Sequence, residues 1–457
     1  MGKKQKQQQK QKQQIEEYPL HERNFITLTK NAPTTVPDNS NNLNKYQTIN
    51  VMTYNILAQC LIHRELYPYC KEKNTLKLSY RSKLFMKEFE SLQPDIATFQ
   101  EVDNFNEIYI KFFINLGYDY KYIKKQIKEK VYQHGICILW KKEKFSEIQY
   151  NGFLFDESPL VTPTEITPIT GNTGQVLALK FNVNEEDIKK KFSNIENEKL
   201  RNLKIEQYKL ENEMGIIISN HHLYWKPNAK YEKLRQIYVL LNNIYSLKNK
   251  IEIEKSINYN SVCEEINKIE SAVERKHLNK WPVLMCGDFN TTPDQALYKL
   301  ITEHKLTESE CQDLEPIIEN DVKVTSDLLS TTYLIEKIKE FPIGKSSYGS
   351  YRDNDPNHTI NPNWNNKIEY FKGEPTYTTY CTWKGTLDYV FLMDDNKFKY
   401  NDKNISENFK DISFQPTYLT VRKNLNIPNS NLLEPGLPNL SYPSDHICLM
   451  NEIDIFH

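Results

Sequence analysis

Apolar residues fall in short continuous runs separated by longer polar stretches. The segments 46–58, 95–102, 133–140, 176–183 and 215–222 are runs of this kind, rich in β-branched and aromatic residues. They predict strands covered on both faces, where strict alternation is lost. Val283 to Cys286, bounded by Pro282 and Gly287, is another such strand, and the pattern returns over 374–393 and 442–450. Helical spacing replaces it at Tyr80, Leu84, Phe85, Phe89 and Leu92, predicting a helix over 79–92 that Gln93-Pro94 stops. Tyr231, Leu234, Ile237, Tyr238, Leu241, Ile244 and Tyr245 predict a second, over 231–247. Thr292 as N-cap and Pro293 at the first helical position predict a third. Several strands follow one another with no helix between them. This favours an α/β fold of two mixed sheets packed face to face with helices outside, over one doubly wound sheet.

The polar stretches divide the chain. Residues 1–45, beginning with a Lys/Gln tract, predict a disordered tail before one domain over 46–457. Polar insertions are expected near 184–214, 248–280 and 311–373, as surface excursions and, in the last, partly mobile loop.

Composition narrows the function classes. Charged residues make up 26% of the 457 and the formal net charge is −1, so nucleic-acid binding requires a local basic cleft, for which Lys121 to Lys130 are candidates. A charge run is also what an ordinary solvated face looks like. The eight cysteines form no Cys-x-x-Cys pair and several lie in apolar runs, which predicts buried thiols in a reducing compartment. No apolar run approaches the roughly 18 residues of a membrane span, and the start lacks the apolar region of a secretory signal.

Candidate chemistry clusters at strand ends. Asp288 and Asn290 follow a core strand and, two residues apart, are expected to share a face. A carboxylate with an amide oxygen suits a hard cation or the deprotonation of water; Gly, Asp and Asn are also common turn formers. Asn55 and Glu101 each end an apolar strand. Of His221 and His222, alternation lets only one face a given site. Asp388 sits inside an apolar run, where a carboxylate requires a partner, and Asp445-His446 opens the last strand. No P-loop, G-x-S-x-G or zinc-type spacing competes with these residues. Together they suit metal-assisted hydrolysis of a phosphate ester.

The order of the motifs is itself informative. Thr53 to Ala58 (TYNILA), Phe99 to Val102 (FQEV), Asn220 to Trp225 (NHHLYW), Gly287 to Asn290 (GDFN), Leu387 to Phe391 (LDYVF) and Ser444 to His446 (SDH) resemble the endonuclease/exonuclease/phosphatase superfamily. Tyr80-Arg81, Trp225-x-Pro227, Arg235-Gln236 and Lys384 to Tyr389 resemble its deadenylase, nocturnin, Angel and Ngl branch. The resemblance spans Tyr46 to Ile455. It implies a deoxyribonuclease-like four-layer α/β sandwich and a Mg²⁺-dependent 3′→5′ exoribonuclease, with Mn²⁺ as a possible substitute. Alternatives are a nocturnin-like phosphatase on a phosphorylated dinucleotide and an RNA-binding protein without catalysis. By the same resemblance, Glu101 helped by Asn55 holds one Mg²⁺, and Asp288, Asn290 and His446 surround a second metal position and the attacking water, with Asp288 as general base. His222 donates to the scissile phosphate and Asp388 pairs with His222, while Asp445 stands behind the ligands. Trp383 occupies the place of a base-stacking aromatic, in a loop one residue shorter than the pattern. His221 replaces a small Thr and Tyr224 a second His, two departures expected to adjoin the site. RNA is the implied partner. No membrane anchor or leucine-rich-repeat module is expected, and the implied state is a monomer in the cytoplasm or nucleus.

Overall fold

The computed structural model describes residues 19–37, 43–160, 167–270, 272–318, 328–355, 358, 373–394 and 414–457. Its strands are β1 (Phe25–Thr27), β2 (Lys45–Asn55), β3 (Ile96–Asp103), β4 (Tyr118–Ile127), β5 (Lys130–Lys141), β6 (Phe145–Leu154), β7 (Thr173–Phe181) and β8 (Gly215–His222). The short β9 (Leu278–Asn279) precedes β10 (Val283–Asp288), β11 (Gly344–Ser346), β12 (Thr379–Tyr380), β13 (Lys384–Gly385), β14 (Asp388–Met393), β15 (Phe414–Gln415), β16 (Tyr418–Leu425) and β17 (Leu449–Phe456). The helices that matter here are α1 (Leu78–Leu92), α2 (Glu185–Lys191), α3 (Glu198–Asn212), α4 (Lys230–Asn267), α5 (Ala296–Glu303), α6 (Glu308–Asp313) and α7 (Thr331–Lys339).

One sheet runs β1-β16-β17-β2-β3-β5-β4 and the other β11-β14-β10-β8-β7-β6. Each is mixed, with one parallel pair, β2 with β3 and β8 with β10. Alternation along the strands explains the layering. Ile216 and Ile218 of β8 meet Val51, Ile96 and Ile138 of the facing sheet in a core between the sheets. Ile217, Val283 and Met285 turn outward under Leu234, Ile237 and Leu241 of α4. Tyr54, Phe99 and Leu139 turn outward on the other side, under Phe85 and Phe89 of α1. The result is the expected four layers: helix, sheet, sheet, helix.

Several boundaries differ from expectation. Residues 1–18 and 38–42 lie outside the described residues, but residues 23–35 of the expected tail are built into the fold. β1 pairs with β16, and Thr34 bridges Thr420. The Arg23 guanidinium is buried, with Nη1 3.7 Å from Glu88 Oε1 and 2.9 Å from the Cys448 carbonyl oxygen. The helix expected to end at Leu247 continues to Asn267, because its polar residues are paired in place: Lys248 Nζ lies 2.8 Å from Glu252 Oε1 and both are buried. The 184–214 stretch holds α2 and α3, capped by Asn184 and Asn197. The helix after the Gly287–Asn290 motif starts at Ala296, not Pro293; residues 292–295 form a turn in which the Gln295 N–H donates to the Thr292 carbonyl at 3.0 Å. The stretch 311–373 holds α7 and β11, while 319–327, 356–357 and 359–372 lie outside the described residues.

Candidate active site

The two parallel pairs bring four strand ends to one rim of the sandwich. Asn55 ends β2, Glu101 lies near the end of β3, His222 ends β8 and Asp288 ends β10. Register does the rest: Asp288 stands opposite His222 on one side and opposite Asp388, the first residue of β14, on the other. His446 enters through a bridge to Thr379, just ahead of β17.

Local backbone aims the side chains. The β3–β5 ladder shifts register between Phe99 and Val102, and Glu101 within it takes φ 55°. A non-glycine residue in this left-handed region costs about 1–2 kcal/mol. The bulge turns the carboxylate to where its Oε1 accepts from Asn55 Nδ2 at 3.0 Å and its Oε2 from the Ala58 N–H at 3.1 Å. Asn290 also has positive φ, 47°, which Asn tolerates. Its N–H donates to Asp288 Oδ1 at 2.9 Å, and its Nδ2 to the Leu223 carbonyl at 2.9 Å, leaving its Oδ1 for the cleft. Gly287, at φ 149°, is required by close approach, since a Cβ there would lie 2.3 Å from the His221 carbonyl oxygen.

Asp288 is the hub. Its Oδ2 accepts from Asn55 Nδ2 at 3.0 Å and lies 3.5 Å from His222 Nε2 and 3.9 Å from His446 Nε2. Burial alone would raise its pKa, but the two histidines and the hydrogen bonds from Asn55 and Asn290 outweigh it and hold the carboxyl below its ordinary value. His446 Nδ1 lies 2.8 Å from Asp388 Oδ2, which also accepts from Thr378 Oγ1 at 2.6 Å. Burial opposes the imidazolium, yet Asp388, with Asp288 and Asp445, lifts His446 well above the ordinary histidine value. The pair therefore carries a proton on the imidazole beside an ionised Asp288. Asp288, Asp388 and His446 place one ligand atom each within 4.8 Å of one another. His446 and Thr378 occupy Asp388 Oδ2, so Asp388 and His446 hold a proton between them, while Asp388 Oδ1 is buried with no hydrogen-bond partner among the described residues. Glu101 and Asp288 offer carboxylate oxygens to a cation: both accept from Asn55 Nδ2, which brings the two carboxylates together, while Asn55 Oδ1 accepts from the Leu57 N–H at 3.1 Å. These residues fit such an ion.

The strand ends open into a cleft of about 490 Å³ lined by Glu101, His222, Asp288, Asn290 and His446, and on its far wall by Lys125, Tyr132, His134, Asn172 and Trp225. Residues 52–251 match the model of the Endonuclease/Exonuclease/phosphatase family. Over that stretch the chain is similar to the endonuclease/exonuclease/phosphatase family. Among its relatives, "RNA exonuclease NGL2" of Saccharomyces cerevisiae is 25% identical over 455 residues, covering 89% of this chain and 78% of that protein. Human "2',5'-phosphodiesterase 12" is 24% identical over 415 residues, and the match spans 51% of its length. The crystal structure of ANGEL2, a 2′,3′-cyclic phosphatase, in complex with adenosine-2′,3′-vanadate, shares the fold at TM-score 0.58 and 20% identity, over 95% of this chain and 99% of that one.

Within this family frame the expected residues can be placed. Asn55, Glu101, His222, Asp288, Asn290, Asp388 and His446 come together at one rim. The Asp388 partner is corrected: it pairs with His446, not His222, because β14 runs antiparallel to β10 and aims Asp388 at the His446 side. Asp445 turns away to accept from the Tyr67 hydroxyl at 3.0 Å. Trp383 does not line the cleft; it is 49% exposed and lies over Gly385, where a Cβ would meet its ring at 2.3 Å. His221 does not adjoin the cleft either. It is fully buried, edge-on to Phe289 at 4.3 Å, and burial pushes its pKa down to about 3, so it packs as a neutral ring. Lys125 falls within the Lys121–Lys130 stretch expected to line a basic cleft, whereas sequence reasoning missed Tyr132, His134 and Asn172 as wall residues. Asn172 Nδ2 donates to the His222 carbonyl at 2.6 Å, and Lys125 Nζ donates to Asn172 Oδ1 at 2.9 Å. The available signal was the alternation of Lys130, Tyr132 and His134 leading into Gly135.

Proposed function

We propose that the protein is a Mg²⁺-dependent 3′→5′ exoribonuclease that hydrolyses RNA phosphodiesters at poly(A) or structural-RNA 3′ ends. The observation that carries this reading is the hub: an ionised Asp288 within 3.0 Å of Asn55 and 3.5–3.9 Å of two histidines, at the floor of an open cleft. Glu101 and Asp288, positioned by Asn55, would hold Mg²⁺, with Asn290 and His446 beside a second position; bound there, the ion would neutralise phosphate charge and lower the pKa of an attacking water. Asp288, held ionised, accepts the proton of that water. His446, its proton fixed by Asp388, faces the charge that develops on the phosphoryl oxygens, and His222 Nε2 donates from the opposite side. The relative named an RNA exonuclease supports RNA as substrate. The relative named a 2′,5′-phosphodiesterase supports the same chemistry on short nucleotides as a second reading.

The test is incubation of the pure protein with Mg²⁺ and 5′-labelled RNAs, one ending in poly(A) and one of mixed sequence. A one-nucleotide ladder from the 3′ end, abolished by EDTA and by Asp288→Asn, is expected. Cleavage that persists in EDTA, or undiminished in Asp288→Asn, would overturn the assignment. Cleavage of short phosphorylated nucleotides alone would favour the second reading.

A further inference from the structure

We propose that the β4–β5 hairpin is the track along which single-stranded RNA enters the cleft, so that the substrate is a chain reaching several nucleotides beyond the scissile bond and not an isolated dinucleotide. This rests on the hydrolase reading above and names the substrate class of that site.

Three observations carry it. The first is periodicity. Lys130, Tyr132 and His134 are alternate residues of β5 whose side chains are neighbours, with Lys130 Nζ 4.9 Å from the Tyr132 centroid and the Tyr132 and His134 ring centroids 6.1 Å apart. That ring spacing is comparable to one nucleotide of an extended single strand. Tyr132 and His134 line the cleft and Lys130 stands at the hairpin tip, so the row runs from solvent to the catalytic wall.

The second observation is charge. Lys124, Lys125, Lys128 and Lys130 make no carboxylate ion pair among the described residues, whereas Lys121 on the same hairpin is paired with Glu147 at 2.8 Å. Against the one acid within residues 124–130, Glu129, these four cations leave a local excess of positive charge on a chain whose formal net charge is −1. The third is the pairing of cation with ring. Two ammonium groups lie near the Tyr132 ring, Lys130 Nζ at 4.9 Å and Lys125 Nζ at 5.8 Å from its centroid. An aromatic ring with cations near it accepts a stacked base and its two phosphates, a sequence-tolerant mode of single-strand binding. Lys125 connects the track to the chemistry through Asn172, whose Nδ2 holds the His222 carbonyl. A dinucleotide held at the catalytic end has no phosphate to place at Lys130.

The test compares the wild type with Lys130→Gln and with Lys130→Gln/Tyr132→Ala, on a 12-nucleotide RNA and on the dinucleotide ApA. The double variant should lose about tenfold in kcat/KM on the 12-mer, the size of one lost base–aromatic stack, while Lys130→Gln, whose side chain does not line the cleft, should keep the wild-type ApA turnover. The salt dependence on the 12-mer should become shallower by about 0.7 in log–log slope for the one lysine removed. Equal losses on both substrates, or none on the 12-mer, would overturn the track. Anisotropy of the labelled 12-mer with Asp288→Asn protein separates this from failure of the hydrolase reading. If the wild type cuts nothing yet the hairpin changes weaken 12-mer binding, the track stands and the hydrolase reading falls. If they leave binding unchanged, the track falls, whatever the wild type cuts.

Discussion

At the scale of the residue, this protein repeatedly uses burial to set charge, and each case turns on the partner supplied. Asp288 stays ionised at 1% exposure because two histidines and two hydrogen-bond donors face it. His221, one position from His222, has no hydrogen-bond partner on either ring nitrogen among the described residues and stays neutral. Glu374 is the counter-example among acids. Burial pushes its pKa up to about 7, against the weaker pull of Ser346, the Tyr298 hydroxyl at 2.7 Å and Arg352. Its folded value lies above the ordinary 4.5, so the folded state holds a proton that the unfolded chain has released. The resulting stabilisation is complete below about pH 4.5 and is lost as pH rises through about 7, amounting to roughly 3 kcal/mol at most. Glu374→Gln should therefore leave stability near pH 4.5 little changed and raise it at pH 8, flattening the slope between. Urea denaturation of both proteins across that range measures this, and parallel curves would refute it. The types of the site residues were readable from the chain, since acids and amides ending apolar runs call for an explanation. Which acid served which histidine was not, because that choice depends on the antiparallel register of β14 against β10.

At the scale of the element, strands were legible where both faces are covered, giving unbroken runs such as Ile216 to Ile218 and Val283 to Cys286. Helix α4 was legible only for its first half. Beyond Leu247 its core positions include Lys248, Glu252 and Lys255, residue types that read as surface until their partners are known. Lys248 Nζ meets Glu252 one turn away at 2.8 Å, and Lys255 Nζ donates to the Glu213 carbonyl at 3.0 Å, at the end of α3. Such a pair is weak evidence for net stability, but breaking it strands a buried charge. Glu252→Ala should destabilise the protein by about 3 kcal/mol, while Lys248→Met/Glu252→Leu should recover most of the loss. Chemical denaturation of the three proteins decides it, and a single variant as stable as the wild type would show that the polar half of α4 is not packed as described.

At the scale of the whole molecule, two mixed sheets place both parallel pairs with their C-terminal ends at one rim, so chemistry collected from five strands and two loops needs no separate domain. What closes this sandwich is a segment that composition assigned to the tail. Residues 23–35 run along the β16–β17 side of the seven-stranded sheet, pairing β1 with β16 and Thr34 with Thr420. They read as tail because the stretch is short, polar and interrupted by proline, while its anchoring comes from partners some four hundred residues away. The anchor is Arg23. Its Nε and Nη2 donate to the Asn426 carbonyl at 2.9 and 2.6 Å, its Nη1 to the Cys448 carbonyl at 2.9 Å, and Glu88 of α1 supplies the counter-charge. One side chain thus ties the N-terminal segment to α1, to the loop after β16 and to the residue two places beyond His446. Both charged side chains are at most 5% exposed, so removal of one leaves the other buried and unpaired. Arg23→Met should cost about 3–5 kcal/mol, whereas Arg23→Met/Glu88→Leu should return most of it, since matched apolar groups do not carry the desolvation penalty. Urea denaturation followed by far-UV circular dichroism measures both. A loss below about 1 kcal/mol for the single variant is what an exposed surface pair would give, and would mean that the segment does not close the sandwich in solution.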